Sequence, residues 1–318
     1  MSNFKFFFIV IELNLWVKLF TKSLKDEYGE YVVITNVVDC IGFQFAKAFA
    51  KKGHSLILIA SKSEVLERVK SALEKCVKPG RKVEIIVYDE TQPEHVYFVK
   101  VEKLLHEVKD KIGILLNNCS LKLKPGNKLL DYSRNDILEL LYANVAYPVL
   151  ITQLVIPFMI ENKKGLIVNV TMPDNFRPVE HKGFPHVMRE FIKFFGEVIS
   201  RDCDAHNIDV QTVNPGWISN RRQGSKRFPD FLLQSPATFV DSVMPCVGRT
   251  DKSCGCLIHS ILREFLNNAP KIVHETIYYA YRAVNGKYDD LNESQEIDDM
   301  MKELEENIKE CDCEIHDQ

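Results

Sequence analysis

Apolar positions in this chain fall into short unbroken runs separated by longer patterns of helical period. YVVIT (31–35), SLILIA (55–60), VEIIVYD (83–89), IGILLNN (112–118), GLIVNV (165–170) and IDVQTVNPG (208–216) are each rich in aliphatic or β-branched residues. Such runs lack the strict alternation of a half-exposed strand and predict strands buried on both faces. Between them, IGFQFAKAFAKKGH (41–54) carries an apolar stripe of Phe43, Phe45, Ala46 and Phe49, and SEVLERVKSALEK (63–75) is amphipathic with Ser63 as its N-cap. Further helices are predicted around 94–110, through Ile137–Glu161, and from Pro185 in GFPHVMREF (183–191). Six buried strands alternating with helices predict an α/β fold: a Rossmann-like, doubly wound parallel sheet with helices on both faces in a single domain. The expected division is an apolar segment over 1–27, the Rossmann-like domain over 28–285 and an acidic helical or disordered tail over 286–318.

Composition changes this picture at the two ends. The chain has 318 residues, 46% hydrophobic and 27% charged, with a net charge of −3. From Asp289 onward, 13 acidic residues face only Lys302 and Lys309, so the body before the tail carries about +8. No basic stripe with interleaved aromatics accompanies that charge, so no nucleic-acid partner is expected. Residues 4–20, FKFFFIVIELNLWVKLF, are interrupted by Glu12, Asn14 and Lys18. A spanning helix wants about 20 mainly apolar residues. The segment is therefore expected to lie on a membrane surface or pack on the protein, with a true span as the alternative. No small-residue cleavage site of a signal peptide follows it. Of nine cysteines, Cys40, Cys119 and Cys203 fall in predicted core elements, which points to reduced thiols. Cys254–Gly–Cys256 and Cys311–Asp–Cys313 lack zinc-ribbon spacing, so no metal site is expected.

In a doubly wound sheet the first strand-to-helix turn is the place for a dinucleotide's phosphates. Here it reads TNVVDCIG and offers Thr35, Asn36, Asp39, Cys40, Ile41 and Gly42. Further along come Asp89 at the end of the third strand, NNCS with Asn117 and Asn118, Asn144 in YANVAYP, and Pro215–Gly216 after the sixth strand. In this ordered set the chain resembles the short-chain dehydrogenase/reductase family, whose turn is TGxxxGxG and whose fourth strand ends in NNAG. The resemblance spans about residues 28–270. YGEYVVIT, IPFMIENKKGLIVNV and VDSVMPCVGRTDKSCGCLIHSIL are similar to the branch of 17β-hydroxysteroid dehydrogenases and very-long-chain 3-oxoacyl-CoA reductases. That resemblance implies NADP(H) as cofactor, keto groups on steroids or fatty acyl chains as substrates, and a homodimer built on the long helices. It also implies attachment through the N-terminal segment to the cytosolic face of the endoplasmic reticulum membrane, with cytoplasm or mitochondrion as alternatives.

Set against the family pattern, the chain departs at most of the positions that carry chemistry. Asn36 and Cys40 stand at the first two glycines, and only Gly42 remains. Asparagine tolerates the left-handed backbone that glycine supplies, whereas the Cys40 side chain is expected to intrude where the cofactor approaches. Ser120 adds a side chain beneath the adenine ribose. Ser61 stands where the branch has an arginine for the 2′-phosphate, and Lys62 beside it offers a point charge without a fork. Of the catalytic set, the family serine aligns with Met172, the tyrosine with Pro185 and the lysine with Arg189; Asn144 is retained. Thr171, next to Met172, is expected to face the other side of the strand. None of the eleven tyrosines is followed four residues later by lysine. Proline suits the first turn of a helix, and His181 and His186 are the nearest groups able to act as an acid.

Two readings follow. The first is a catalytically inactive member of the family, similar to inactive hydroxysteroid dehydrogenase-like proteins, acting by binding a partner, a lipid or steroid, or a nucleotide. The alternative is an NADPH-dependent 17β-hydroxysteroid dehydrogenase or 3-oxoacyl-CoA reductase with a non-standard acid.

Overall fold

Seven parallel strands in the order β3-β2-β1-β4-β5-β6-β7 form the sheet of this protein, seen in a computed structural model. The structure describes residues 23–60, 63–88, 94–119, 129–171, 183–216, 218, 234–253 and isolated positions beyond. In chain order the elements are α1 (Leu24–Glu27), β1 (Tyr31–Thr35), α2 (Cys40–Lys51), β2 (Ser55–Ala60), α3 (Ser63–Cys76), β3 (Val83–Val87) and α4 (Glu94–Glu107). There follow β4 (Ile112–Asn118), α5 (Arg134–Leu141), a π turn (Tyr142–Ala146), α6 (Tyr147–Asn162) and β5 (Gly165–Val170). The last elements are α7 (Gly183–Cys203), β6 (Ile208–Val213), α8 (Pro236–Val243) and β7 (Lys252–Ser253).

The strand alternation decides which helices cover which face. Val32, Ile34, Leu56, Leu58, Ile114 and Leu116 point to one side, where Phe43, Phe45 and Phe49 of α2 meet them together with α3, α8 and Leu24 of α1. Tyr31, Val33, Ile57, Ile59, Leu115 and Ile167 point to the other, against α4, α6 and α7. Both layers are therefore dry, which is why the strands read as continuous apolar runs. Arg134–Asn162, the continuous helix through α5, the π turn and α6, is the described helix long and apolar enough to cross a membrane. Ile151, Val155, Phe158 and Met159 build its inner side into the core, as in a covering helix of a sheet.

Two details differ from the sequence pattern. Six strands are predicted and the sheet has a seventh, β7, whose two residues pair with Thr212 and Val213. Two residues are too few to carry a period, so only the tertiary pairing reveals the strand. The helix predicted through Ile137–Glu161 starts earlier, at Arg134, because Ser133 and Asp136 form a capping box there. The N-terminal segment over 4–20 and the acidic stripe of the tail lie outside the described residues.

Because every strand runs the same way, the sheet has two chemically distinct ends. The turn after β1, the end of β4, Thr171 after β5 and Asn214–Gly216 after β6 lie at the C-terminal end. The turns leading into β2, β3, β4 and β5 lie at the other.

Candidate functional site

The turn between β1 and α2 is tied down by three residues. Asn36 takes a left-handed conformation, φ 53°, and its N–H donates to the Ile59 carbonyl at 2.8 Å. Asp39 caps α2, its carboxylate accepting the Gly42 N–H at 2.6 Å. Asn118, at the end of β4, donates its Nδ2 to the Asn36 carbonyl and the Asp39 carboxylate, each at 2.9 Å. Thr35 Oγ1 accepts the Asn118 N–H at 3.2 Å, which closes the link between the two strands. Gly42 is needed for this closeness. A Cβ there would stand 2.8 Å from both the Asn36 carbonyl oxygen and Asn118 Nδ2. Cys40 opens α2 as a buried residue, and Ile41 packs at the edge of the core. Cys119, just past Asn118, is enclosed, and burial followed by the Asp39 charge pushes its thiol up to about 12. It is therefore no thiolate at neutral pH.

Beneath the turn lies a second row of buried polar groups, which apolar periodicity does not announce. Asn117 Nδ2 donates to Thr152 Oγ1 on α6 at 2.9 Å and to Asn169 Oδ1 on β5 at 3.0 Å. Thr171 sends its hydroxyl to Asn214 Oδ1 at 2.9 Å, so that group is engaged between β5 and β6. Pro215 and Gly216 follow as buried residues. The signal available in the sequence was polarity itself: Asn117, Asn118, Asn169 and Asn214 all sit at the ends of otherwise apolar strands.

The reacting end is built by α7 against the π turn and β6. Asn144 lies in that π turn, buried, with Nδ2 donating to the Leu140 carbonyl at 3.1 Å. Its Oδ1 finds no hydrogen-bond partner among the described residues. Pro185 is the third residue of α7, where a backbone N–H has no intrahelical acceptor to lose. Arg189, one turn on, is only 6% exposed. Its Nε and Nη2 donate to Glu190 Oε1 at 3.2 and 2.9 Å, and Lys193 Nζ reaches the same oxygen at 2.9 Å. Burial raises the Glu190 pKa, but hydrogen bonds from Lys193 and Arg189 outweigh it and hold the carboxyl below its ordinary range. The buried guanidinium thus meets a carboxylate that is itself exposed. Met172, Ser61, Lys62, Asp89, Ser120 and His181 lie outside the described residues, as do the side chains of Pro185 and His186.

The pattern of a turn over a helix start, asparagines closing it from β4, and a site across the strand ends is that of a dinucleotide-binding sheet. The family model for short chain dehydrogenases matches residues 17–228. The chain belongs to this family. Among curated short-chain relatives, human very-long-chain 3-oxoacyl-CoA reductase is 27% identical over 253 residues, covering 77% of each chain. Human 17-beta-hydroxysteroid dehydrogenase type 3 is 29% identical over 260 residues, covering 81% of each. Human inactive hydroxysteroid dehydrogenase-like protein 1 is 24% identical over 270 residues, covering 83% of this chain and 80% of that protein. Among solved structures, a short-chain dehydrogenase from Sphingobium yanoikuyae in complex with NADPH superposes with a TM-score of 0.59 at 20% identity, over 76% of this chain and 97% of that one. That likeness is one of fold.

The nucleotide end of this short-chain site fits a dinucleotide in backbone shape, because Asn36 and Gly42 keep the turn tight over the start of α2. At the other end, α7 opens with Pro185, which has no backbone donor, and one turn on carries Arg189, whose guanidinium meets Glu190.

Proposed function

We propose that this protein is a short-chain dehydrogenase/reductase member that works by binding and does not reduce a substrate. One observation carries the reading: the helix that should present a tyrosine and a lysine one turn apart presents Pro185 and Arg189, with the arginine buried against Glu190. A phenol, pKa about 10, needs a neighbouring cation to donate its proton at neutral pH. Here the residue four positions before the cation is Pro185, which has no proton to donate. The surviving turn supports NADP(H) as a ligand. A lipid or steroid ligand is supported by the names of the relatives, and attachment to a membrane, proposed as that of the endoplasmic reticulum, by the apolar residues 4–20. A homodimer through the long helices is supported by an exposed apolar stripe on α7, Val187, Phe191, Phe194 and Val198.

The second reading, an active NADPH-dependent reductase of ketosteroids or 3-oxoacyl thioesters, is favoured by relatives named as reductase and dehydrogenase. It requires another acid, for which His186 is the nearest candidate in sequence. NADPH titration followed by thermal shift and fluorescence, then turnover on a panel of ketosteroids and 3-oxoacyl-CoA thioesters, separates the two. The expected result is no NADPH oxidation above the protein-free rate. Sustained turnover abolished by His186→Ala overturns the binding reading.

A further inference from the structure

The end of the sheet opposite the candidate site carries a concentration of positive charge. The end of α2 and the turn after it contribute Lys51 and Lys52, and the end of α3 and the turn after it contribute Lys75, Lys78, Arg81 and Lys82. No acidic residue occurs in 51–54 or 75–82. The two turns are in contact, since a Cβ added at Gly53 would meet the Lys78 side chain at 3.3 Å. All five lysines are exposed. The surrounding field is visible in its neighbours. Glu30 is held below the ordinary carboxylate range by Arg81 first, then by Lys111 and Lys25.

Strand β1 begins at this same end of the sheet. Glu30, at the start of β1, binds Arg81 Nη1 at 2.6 Å, and its carbonyl accepts the Ser55 N–H at 3.0 Å. Residues 4–20, the apolar stretch, precede Glu30 by ten residues in the sequence. An apolar segment next to a basic patch is the pair of signals that holds a protein on an anionic bilayer.

We propose that this end of the domain docks on an anionic lipid surface. The two lysine-rich turns lie on the headgroups, and the candidate site faces away from the bilayer. The inference rests on the membrane attachment proposed above and adds the surface, the lipid class and the orientation. Each lysine near such a surface is worth about 1 kcal/mol, so removing three should weaken binding roughly a hundredfold.

The test is flotation of the full chain with phosphatidylcholine vesicles, with and without phosphatidylserine, at low ionic strength. The variant Lys52→Gln/Lys78→Gln/Lys82→Gln is compared with a control of equal charge outside the patch, Lys100→Gln/Lys103→Gln/Arg134→Gln. The wild type and the control should prefer the phosphatidylserine vesicles, by roughly a hundredfold over the patch variant, and added salt should erase the difference. Binding to neutral vesicles should be equal in all three, which reads the N-terminal segment separately. A patch variant that keeps the preference overturns the proposal. So does a wild type that shows none, as it would if the acidic tail of the chain covered the lysines.

Discussion

At the scale of single residues, Gly42 and His54 show how closely the fold tolerates change. Gly42 sits where α2, the first turn and β4 converge, with Asn36 O and Asn118 Nδ2 both 2.8 Å from a hypothetical Cβ and Val37 Cα at 3.0 Å. Two of those atoms are backbone and cannot swing aside. Gly42→Ala should cost about 1–3 kcal/mol, read as a lower urea midpoint, and should loosen any nucleotide bound at the turn. His54 is fully buried behind the Phe49 ring. Burial is the main cause that lowers its pKa from 6.5 to about 4. The unfolded chain therefore takes up a proton below pH 6.5 that the folded chain refuses until about pH 4. Stability is full above that window and falls as pH drops through it, by about 3 kcal/mol at most. Urea denaturation across this range should show a shallower acid loss in His54→Leu than in the wild type.

At the scale of elements, α7 has two different jobs on its two sides. Met188 and Ile192 are buried against α5 and the core, which anchors the helix that carries Pro185 and Arg189. Val187, Phe191, Phe194 and Val198 form a stripe on the other side, with Phe194 67% exposed. Phenylalanine so exposed on a long helix is the signature of a covered face. Light scattering of the full chain should give the mass of a dimer, and Phe194→Glu should shift it to the monomer with little change in thermal midpoint. A monomeric wild type would remove the assembly from the proposal. The apolar positions of α7 were legible in the sequence, but their division into a core side and an outer side was not. Helical period places Val187 next to Met188 without saying which of the two meets the sheet.

Across the whole molecule, the parallel sheet sorts the chain into an end with the candidate site and a basic end. It also joins segments remote in sequence. Tyr28 donates its hydroxyl to Asp209 Oδ2 at 2.6 Å, a link across 181 positions, and Arg249 Nη2 meets Glu27 at 2.7 Å beside it. The start of the domain is thereby fastened to β6 and to the turn after α8. The sequence by itself determined six of the seven strands, their helices and the family, because burial on both faces writes unbroken apolar runs into local order. It also determined that no tyrosine stands four residues before a lysine, since that is a matter of residue identity. Only the tertiary structure decided that Asn118 closes the cofactor turn through Asp39, that Arg189 is buried against Glu190, and that the lysines of two separate turns form one surface. These depend on which distant residues the sheet order brings within hydrogen-bond reach, and periodicity along a chain carries no information about that distance.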